Sequence, residues 1–253
     1  MNKSIDILID RVRAILREND LTAYLFGSIC SDDFKLGWSD IDILILTKKM
    51  VSEKQAEQLV NLRQTLLEEY KGNPYFRLFE GGILSVNEFL NKEMKRVVYW
   101  GTSGQRITDS YSFDVFSTMQ LKESGISICG NDIRERIQYP TYDEMLQAVK
   151  NHYRTIRTHA VKTERNLYSA GWMLDIARCL YTLSERNIIS KTKAGYWAIE
   201  KNLVPNTEVM KKVISIRENP FKYKDNIEVQ DWLERLGPSV QEFANVLENK
   251  LGE

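Results

Sequence analysis

The chain has 253 residues, with 35 Lys and Arg balancing 35 Asp and Glu, two His and three Cys. Even charge excludes a protein that grips nucleic acid with its whole surface. Three distant Cys exclude a disulfide scaffold, and two His exclude a His-rich zinc centre, so any metal chemistry falls to carboxylates.

At 43% hydrophobic and 28% charged residues, the composition is that of an ordinary globular protein, one large domain or two modest ones. The opening MNKSIDILIDRVRAIL is charged throughout and lacks the apolar core of a signal peptide. No apolar run approaches the roughly 20 residues that span a bilayer. A cytoplasmic protein free of membrane is expected.

Residues 4–18 carry Ile5, Leu8, Ile9, Val12, Ile15 and Leu16 at helical spacing, which predicts an amphipathic opening helix. TAYLF at 22–26 reads as a buried strand stopping at Gly27, and DIDILILT is the clearest strand in the sequence. Residues 51–71 predict a helix ended by Gly72 and Pro74, and 76–86 a third strand carrying Glu80. From about residue 113 onward the pattern is helical, punctuated by Pro140, Pro205, Pro220 and Pro238. The expected architecture is α/β: an α+β domain over 1–112 packed with an all-α helical bundle over 113–253.

Gly27-Ser28 and, eleven residues later, Asp40-Ile41-Asp42 carry the chemistry. On a strand Asp40 and Asp42 share a face, about 7 Å apart along the backbone. Two such carboxylates repel unless a cation joins them, and hard oxygen donors suit Mg²⁺. Gly27 lets backbone approach a phosphate, and Ser28 offers an N–H and a hydroxyl to its oxygens. Glu80 on a neighbouring strand can complete a triad. Alone, an Asp-x-Asp is most often a solvated strand end and Gly-Ser a turn; their combination at this spacing is what points to a site.

LFGSICSDDFKLGWSDIDILIL resembles the signature of the DNA polymerase β-like nucleotidyltransferases. RLFEGGILSV is similar to the third-acid strand of the aminoglycoside nucleotidyltransferases that modify streptomycin and spectinomycin, with Glu80 at the acid. ESGISICGND and WMLDIARCLYTLSERNIISKTKAGYWAIE resemble two further segments of that family, the second placing Arg178, Lys191 and Trp197-Ala198 in matching positions. The resemblance implies a polymerase β-like domain with a mixed sheet followed by the helical bundle.

It also implies the reaction. Asp40 and Asp42, with Glu80, would bind one or two Mg²⁺ ions that clamp the triphosphate of ATP. Glu80 would accept the proton of a substrate hydroxyl attacking the α-phosphorus, giving an AMP ester and pyrophosphate. Gly27, Ser28, Ser39, Asp114, Arg178, Lys191 and Tyr223 are the implied nucleotide-side residues. Lys191 begins a helix, whose N-terminal amides favour anions. A structurally paired Arg178 and a merely solvated Lys191 are the alternatives.

On the acceptor side the resemblance points to Trp100, Glu164 and Tyr168. Tyr168 stands where that family carries an aspartate, and Trp100 is equally compatible with a core position. His152 and His159 read as a helix face. The expected partners are ATP and a small-molecule acceptor, probed first among aminoglycosides, with no nucleic acid or membrane, in a monomer or weak dimer. The alternatives are a lincosamide acceptor and an enzyme that transfers AMP to a protein, as some antitoxins do.

Overall fold

In the computed structural model, which describes residues 1–101 and 104–252, the predicted opening helix is α1 (Asn2–Leu16), burying Ile5, Leu8, Ile9, Val12 and Leu16. β1 (Leu21–Phe26) follows and stops at Gly27, whose φ of 73° is left-handed. β2 (Ile41–Thr47) is the predicted DIDILILT strand. It leads into α2 (Glu53–Glu69), started by a reciprocal cap between Ser52 and Gln55. β3 (Phe79–Ser85), α3 (Val86–Asn91), β4 (Val97–Gly101) and β5 (Gly104–Thr108) complete this half.

α4 (Val115–Ser124) then gives way to β6 (Ile126–Cys129), which corrects the expectation of unbroken helix after residue 113. Ile126, Ser127 and Cys129 pair with β1, so the chain returns to the sheet before its helices begin. The six strands run β5-β4-β3-β2-β1-β6, antiparallel except for β2 and β3, which α2 connects as a parallel pair.

Two compact units result. The first comprises Met1–Cys30, Asp40–Phe113 and Leu121–Gln138; the second Ser31–Ser39, Asp114–Gln120 and Tyr139–Glu253. In the first, β2 is buried on both faces and therefore reads as a continuous apolar run. One face sets Tyr24, Phe26, Leu44, Leu46, Leu84 and Val97 against Phe89 of α3, Leu121 and Ile137. The other buries Ile43, Ile45, Ile83 and Trp100, with α2 packed against β4.

The second unit is helical: α5 (Tyr142–His159), α6 (Gly171–Glu185), α7 (Lys191–Glu200), α8 (Thr207–Glu218), α9 (Pro220–Tyr223), α10 (Ile227–Glu234) and α11 (Gly237–Leu251). Met145, Val149, Tyr153 and Ile156 of α5 form one stripe, at the spacing that faces a core. They join buried residues of α6 and α11 in one cluster. Gly195 lets α7 approach α6 and α8, since a Cβ there would meet Leu174 and Ile214 at 3.0 Å. No helix among the described residues is long and apolar enough to cross a membrane.

Glu88 ties α3 to the sheet. Its carboxylate accepts from the Ser85 N–H and hydroxyl at 3.1 and 2.7 Å, and from the Lys95 and Arg96 amides at 2.9 and 2.8 Å. Burial pushes the carboxyl up, but these hydrogen bonds outweigh it and hold the group below the usual carboxylate value. A folded value below the unfolded one gives stability that is present above about pH 4.3 and lost as pH falls through the folded value. Glu88→Gln is therefore expected to flatten the acid limb of the melting-temperature profile between about pH 3 and pH 6. Melts of both chains across that range check it.

Candidate active site

In the first unit, Phe26, Asp42 and Glu80 lie in one row: Phe26 is the antiparallel partner of Asp42, and Asp42 the parallel partner of Glu80. Partnered residues share a face, so the two carboxylates project side by side at the end of the leucine-rich face. Asp40 directly precedes β2. Gly27 closes the row from β1: a Cβ there would lie 2.0 Å from Asp42 Oδ2, so only glycine leaves room for that carboxylate.

Three residues that sequence reasoning passed over complete this corner. The Tyr99 hydroxyl donates to Glu80 Oε1 at 2.7 Å, and the Arg106 guanidinium lies 4.5 Å from the centre of the Tyr99 ring. Burial, with the Glu80 hydrogen bond, pushes the Tyr99 phenol up to about 12, so it remains a donor. Arg63 of α2 donates to the carbonyls of Phe79 and Gly101, both at 3.0 Å, and its charge acts on Glu80 and Asp40. Burial pushes the Cys30 thiol up to about 11, with the Asp42 charge adding to it, so it is no nucleophile.

Trp100 is a core residue. Strand alternation turns it to the face opposite Tyr99, where it is 1% exposed and its indole donates to the Leu59 carbonyl at 3.0 Å. This corrects the expectation that it walls the acceptor. Tyr99→Phe keeps the ring and removes the hydroxyl. A hydrogen bond to a charged group is worth roughly 1.5–3 kcal/mol, so with Glu80 as the base that the sequence resemblance implies, turnover should fall about tenfold or more with KM for ATP little changed. Steady-state pyrophosphate release checks it.

In the second unit, Arg178 and Lys191 meet on Asp175. Arg178 donates at 3.1 Å and Lys191 at 2.9 Å, both to Oδ1. These cations hold Asp175 below its usual range although burial opposes them, while burial pushes Lys191 down. His152 packs edge-on against Phe116, centroids 4.8 Å apart, and the Arg178 guanidinium lies over the same ring. Burial lowers His152, and the nearby cations reinforce the shift against Asp175 and Asp114. The ring is half-buried on the face of α5 that meets Phe116, in keeping with the expected helix face.

The start of α7 is not an open anion site. Ser190 accepts from the Lys193 amide, and the Thr192 amide donates to Asp33 Oδ2 at 3.2 Å. Any anion reaching Lys191 meets its side chain, which corrects the helix-terminus rationale. Asp114 caps α4 by accepting from the Ser117 amide, and the Tyr223 hydroxyl pairs with Ser215 Oγ at 3.1 Å. Ser39 is buried, its hydroxyl accepting from the Lys35 amide at 3.0 Å. Glu164 and Tyr168 share the turn before α6; Asn166 donates to Glu164, and the exposed Tyr168 ring lies 5.8 Å from that of Trp38.

Two family models match the sequence. The nucleotidyltransferase domain covers residues 5–81, and the C-terminal domain of the aminoglycoside adenylyltransferases covers 140–249. The chain thus carries a nucleotidyltransferase domain followed by a domain of the aminoglycoside adenylyltransferase C-terminal family. Among solved structures, this nucleotidyltransferase is similar to the spectinomycin adenyltransferase AAD(9) from Enterococcus faecialis, whose crystal structure holds ATP and spectinomycin. The TM-score is 0.69 at 18% identity, over 98% of this chain and 99% of that one, a likeness of fold. A comparison with curated proteins returned no match.

Within the nucleotidyltransferase, the motif residues Gly27, Asp42 and Glu80 come together in the first unit, and Arg178 and Lys191 in the second. Among the described residues no group of three His, Cys, Asp or Glu side chains is gathered closely enough to hold a metal ion. Arg63 was detectable as a lone charge on the stripe of Leu59, Leu62 and Leu66. Tyr99 was detectable only by choosing the face that β4 turns toward Glu80.

Proposed function

We propose that this nucleotidyltransferase transfers AMP from ATP to a hydroxyl of a small molecule of aminoglycoside type, with Mg²⁺, and releases pyrophosphate. The observation that carries this reading is the Asp42–Glu80 pair on adjacent parallel strands, with Gly27 cut away against Asp42. The donor set suits the cation: Asp40 and Asp42 are hard oxygen ligands, and Mg²⁺ ordinarily takes one or two protein carboxylates beside phosphate oxygens and water. When bound, the ion would neutralise charge on the triphosphate.

Glu80 takes the proton of the acceptor hydroxyl as its oxygen bonds to the α-phosphorus and the bond to the pyrophosphate oxygen breaks. Tyr99 holds the base in place by fixing Oε1. Gly27, Ser28 and Ser39 stand at the two ends of the motif loop, where backbone can approach phosphates. Arg178 and Lys191 supply cations for the phosphates, with Asp114 and Tyr223 as further nucleotide-side residues. Glu164 and the exposed Tyr168 offer a carboxylate and an aromatic face to a cationic, ring-bearing acceptor.

Purified protein with ATP and Mg²⁺ is expected to release pyrophosphate with at least one member of a panel of aminoglycosides, spectinomycin and lincosamides. Silence across that panel overturns the reading. Labelled AMP on a protein band, with no small-molecule product, would replace it with protein modification.

A further inference from the structure

The eleven residues between Ser28 and Asp40 carry the motif from one functional group to the next, and most of them, Ser31–Ser39, belong to the helical unit. A span of this length with no regular structure has many conformations open to it. Two points of the span meet Arg217 of α8.

The first point is Asp33. Arg217 Nη2 donates to Asp33 Oδ2 at 2.9 Å and to the Asp33 carbonyl at 3.3 Å, while Nε reaches Oδ2 at 3.3 Å. The Thr192 hydroxyl donates to Asp33 Oδ1 at 2.6 Å and accepts from Arg217 Nε at 3.2 Å. Both charged side chains are almost sealed, at 3% and 4% exposure. The second point is Trp38, whose ring lies 5.5 Å from the same guanidinium. The Trp38 and Ser39 amides both donate to the Lys35 carbonyl, at 2.9 and 2.8 Å, and Asp40 is the next residue.

Burying two charges is costly, and an apolar pair of the same volume often stabilises a fold at least as well. What an apolar pair lacks is direction: a planar fork fixes both the distance and the angle of what it binds. The segment so ordered ends at Ser39, and Asp40 is bonded to it. We propose that Arg217, with Asp33 and Thr192, is a positioning group for the transfer reaction: it fixes residues 33–39 of the motif loop, the stretch of chain that leads into Asp40. The kinetic half of this inference rests on the proposed AMP transfer; the structural half does not.

The test uses the full chain and two variants. Arg217→Lys keeps the charge and removes the fork and the stack; Thr192→Val keeps the shape and removes one hydroxyl. Amide hydrogen exchange is followed over residues 31–42 and over α5 and α11, beside steady-state kinetics. In Arg217→Lys, exchange at Trp38 and Ser39 should rise about tenfold or more with α5 and α11 unchanged, and kcat should fall by more than KM for ATP rises. Thr192→Val should show the same pattern at smaller amplitude, and it decides the matter if Arg217→Lys does not fold. Exchange rising equally across the helices, or wild-type exchange and kcat in a folded variant, overturns the proposal. A wild-type chain that makes no AMP product removes the proposed reaction, and the exchange data still decide whether Arg217 holds the loop.

Discussion

Asp42→Asn is expected to reduce turnover by about 10³-fold or more while the melting temperature moves little. The substitution is nearly isosteric, and the space around it is set by Gly27, whose missing Cβ leaves the carboxylate its place beside Glu80. Asn keeps that volume and loses the charge. On the proposed reaction Asp42 would help hold a Mg²⁺ ion, and that ion would neutralise charge on the triphosphate, a role Asn cannot fill. Stability should not suffer, since two neighbouring acids repel when no cation lies between them. Pyrophosphate release under saturating ATP and Mg²⁺ measures the first part and a thermal melt the second. Turnover within tenfold of wild type would refute the role assigned to Asp42.

Gly81→Ala should have the largest effect on stability of any glycine-to-alanine change in this chain. Gly81 sits in β3 at φ 150°, and a Cβ there would lie 1.7 Å from the Ile43 carbonyl oxygen and 2.9 Å from its carbon. The obstacle is backbone in the centre of the sheet, so relief requires the β2–β3 ladder to part. A cost of roughly 4 kcal/mol or more is expected, lowering the melting temperature by about 10 °C or preventing folding. Gly82→Ala is the internal control: there the Cβ would meet the Tyr111 ring at 2.8 Å, and a side chain can turn away. Equal melting temperatures for the two variants would show that the ladder yields more easily than close packing allows.

These two positions also show what a sequence of this kind discloses. β2 was legible because a strand buried on both faces must be a continuous aliphatic run, and α2 because its Leu spacing and its Gly72-Pro74 stop are local. Asp42 and Glu80 could be picked out as acids on strand-like runs, but their place in one row depends on the β2–β3 register, which no local pattern gives, and no group of three such side chains is gathered among the described residues. β4 and β6 were not legible, since short apolar runs such as VVYWG and ISIC have no period long enough to separate strand from helix. Trp100 was placed on the acceptor side by resemblance alone, with a core position as the alternative; in a run apolar on both sides, alternation says that Tyr99 and Trp100 differ, not which one faces Glu80. Asp33 and Arg217 lie 184 residues apart, and nothing local in either segment announces the other.

The return of the chain to the sheet at β6 bears on how such an enzyme can be divided or recombined. A fragment ending at residue 112 would contain the whole acidic motif yet lack the strand that covers the outer edge of β1, and with it Leu121 and Ile137 of the leucine-rich face. That edge would be a bare row of amides and carbonyls beside apolar side chains, the arrangement through which sheets of separate molecules join. The acidic corner is therefore not a cassette that can be transplanted at the apparent boundary. Its borders in three dimensions are set by residues read out some twenty-five positions after the motif half of the sequence has ended.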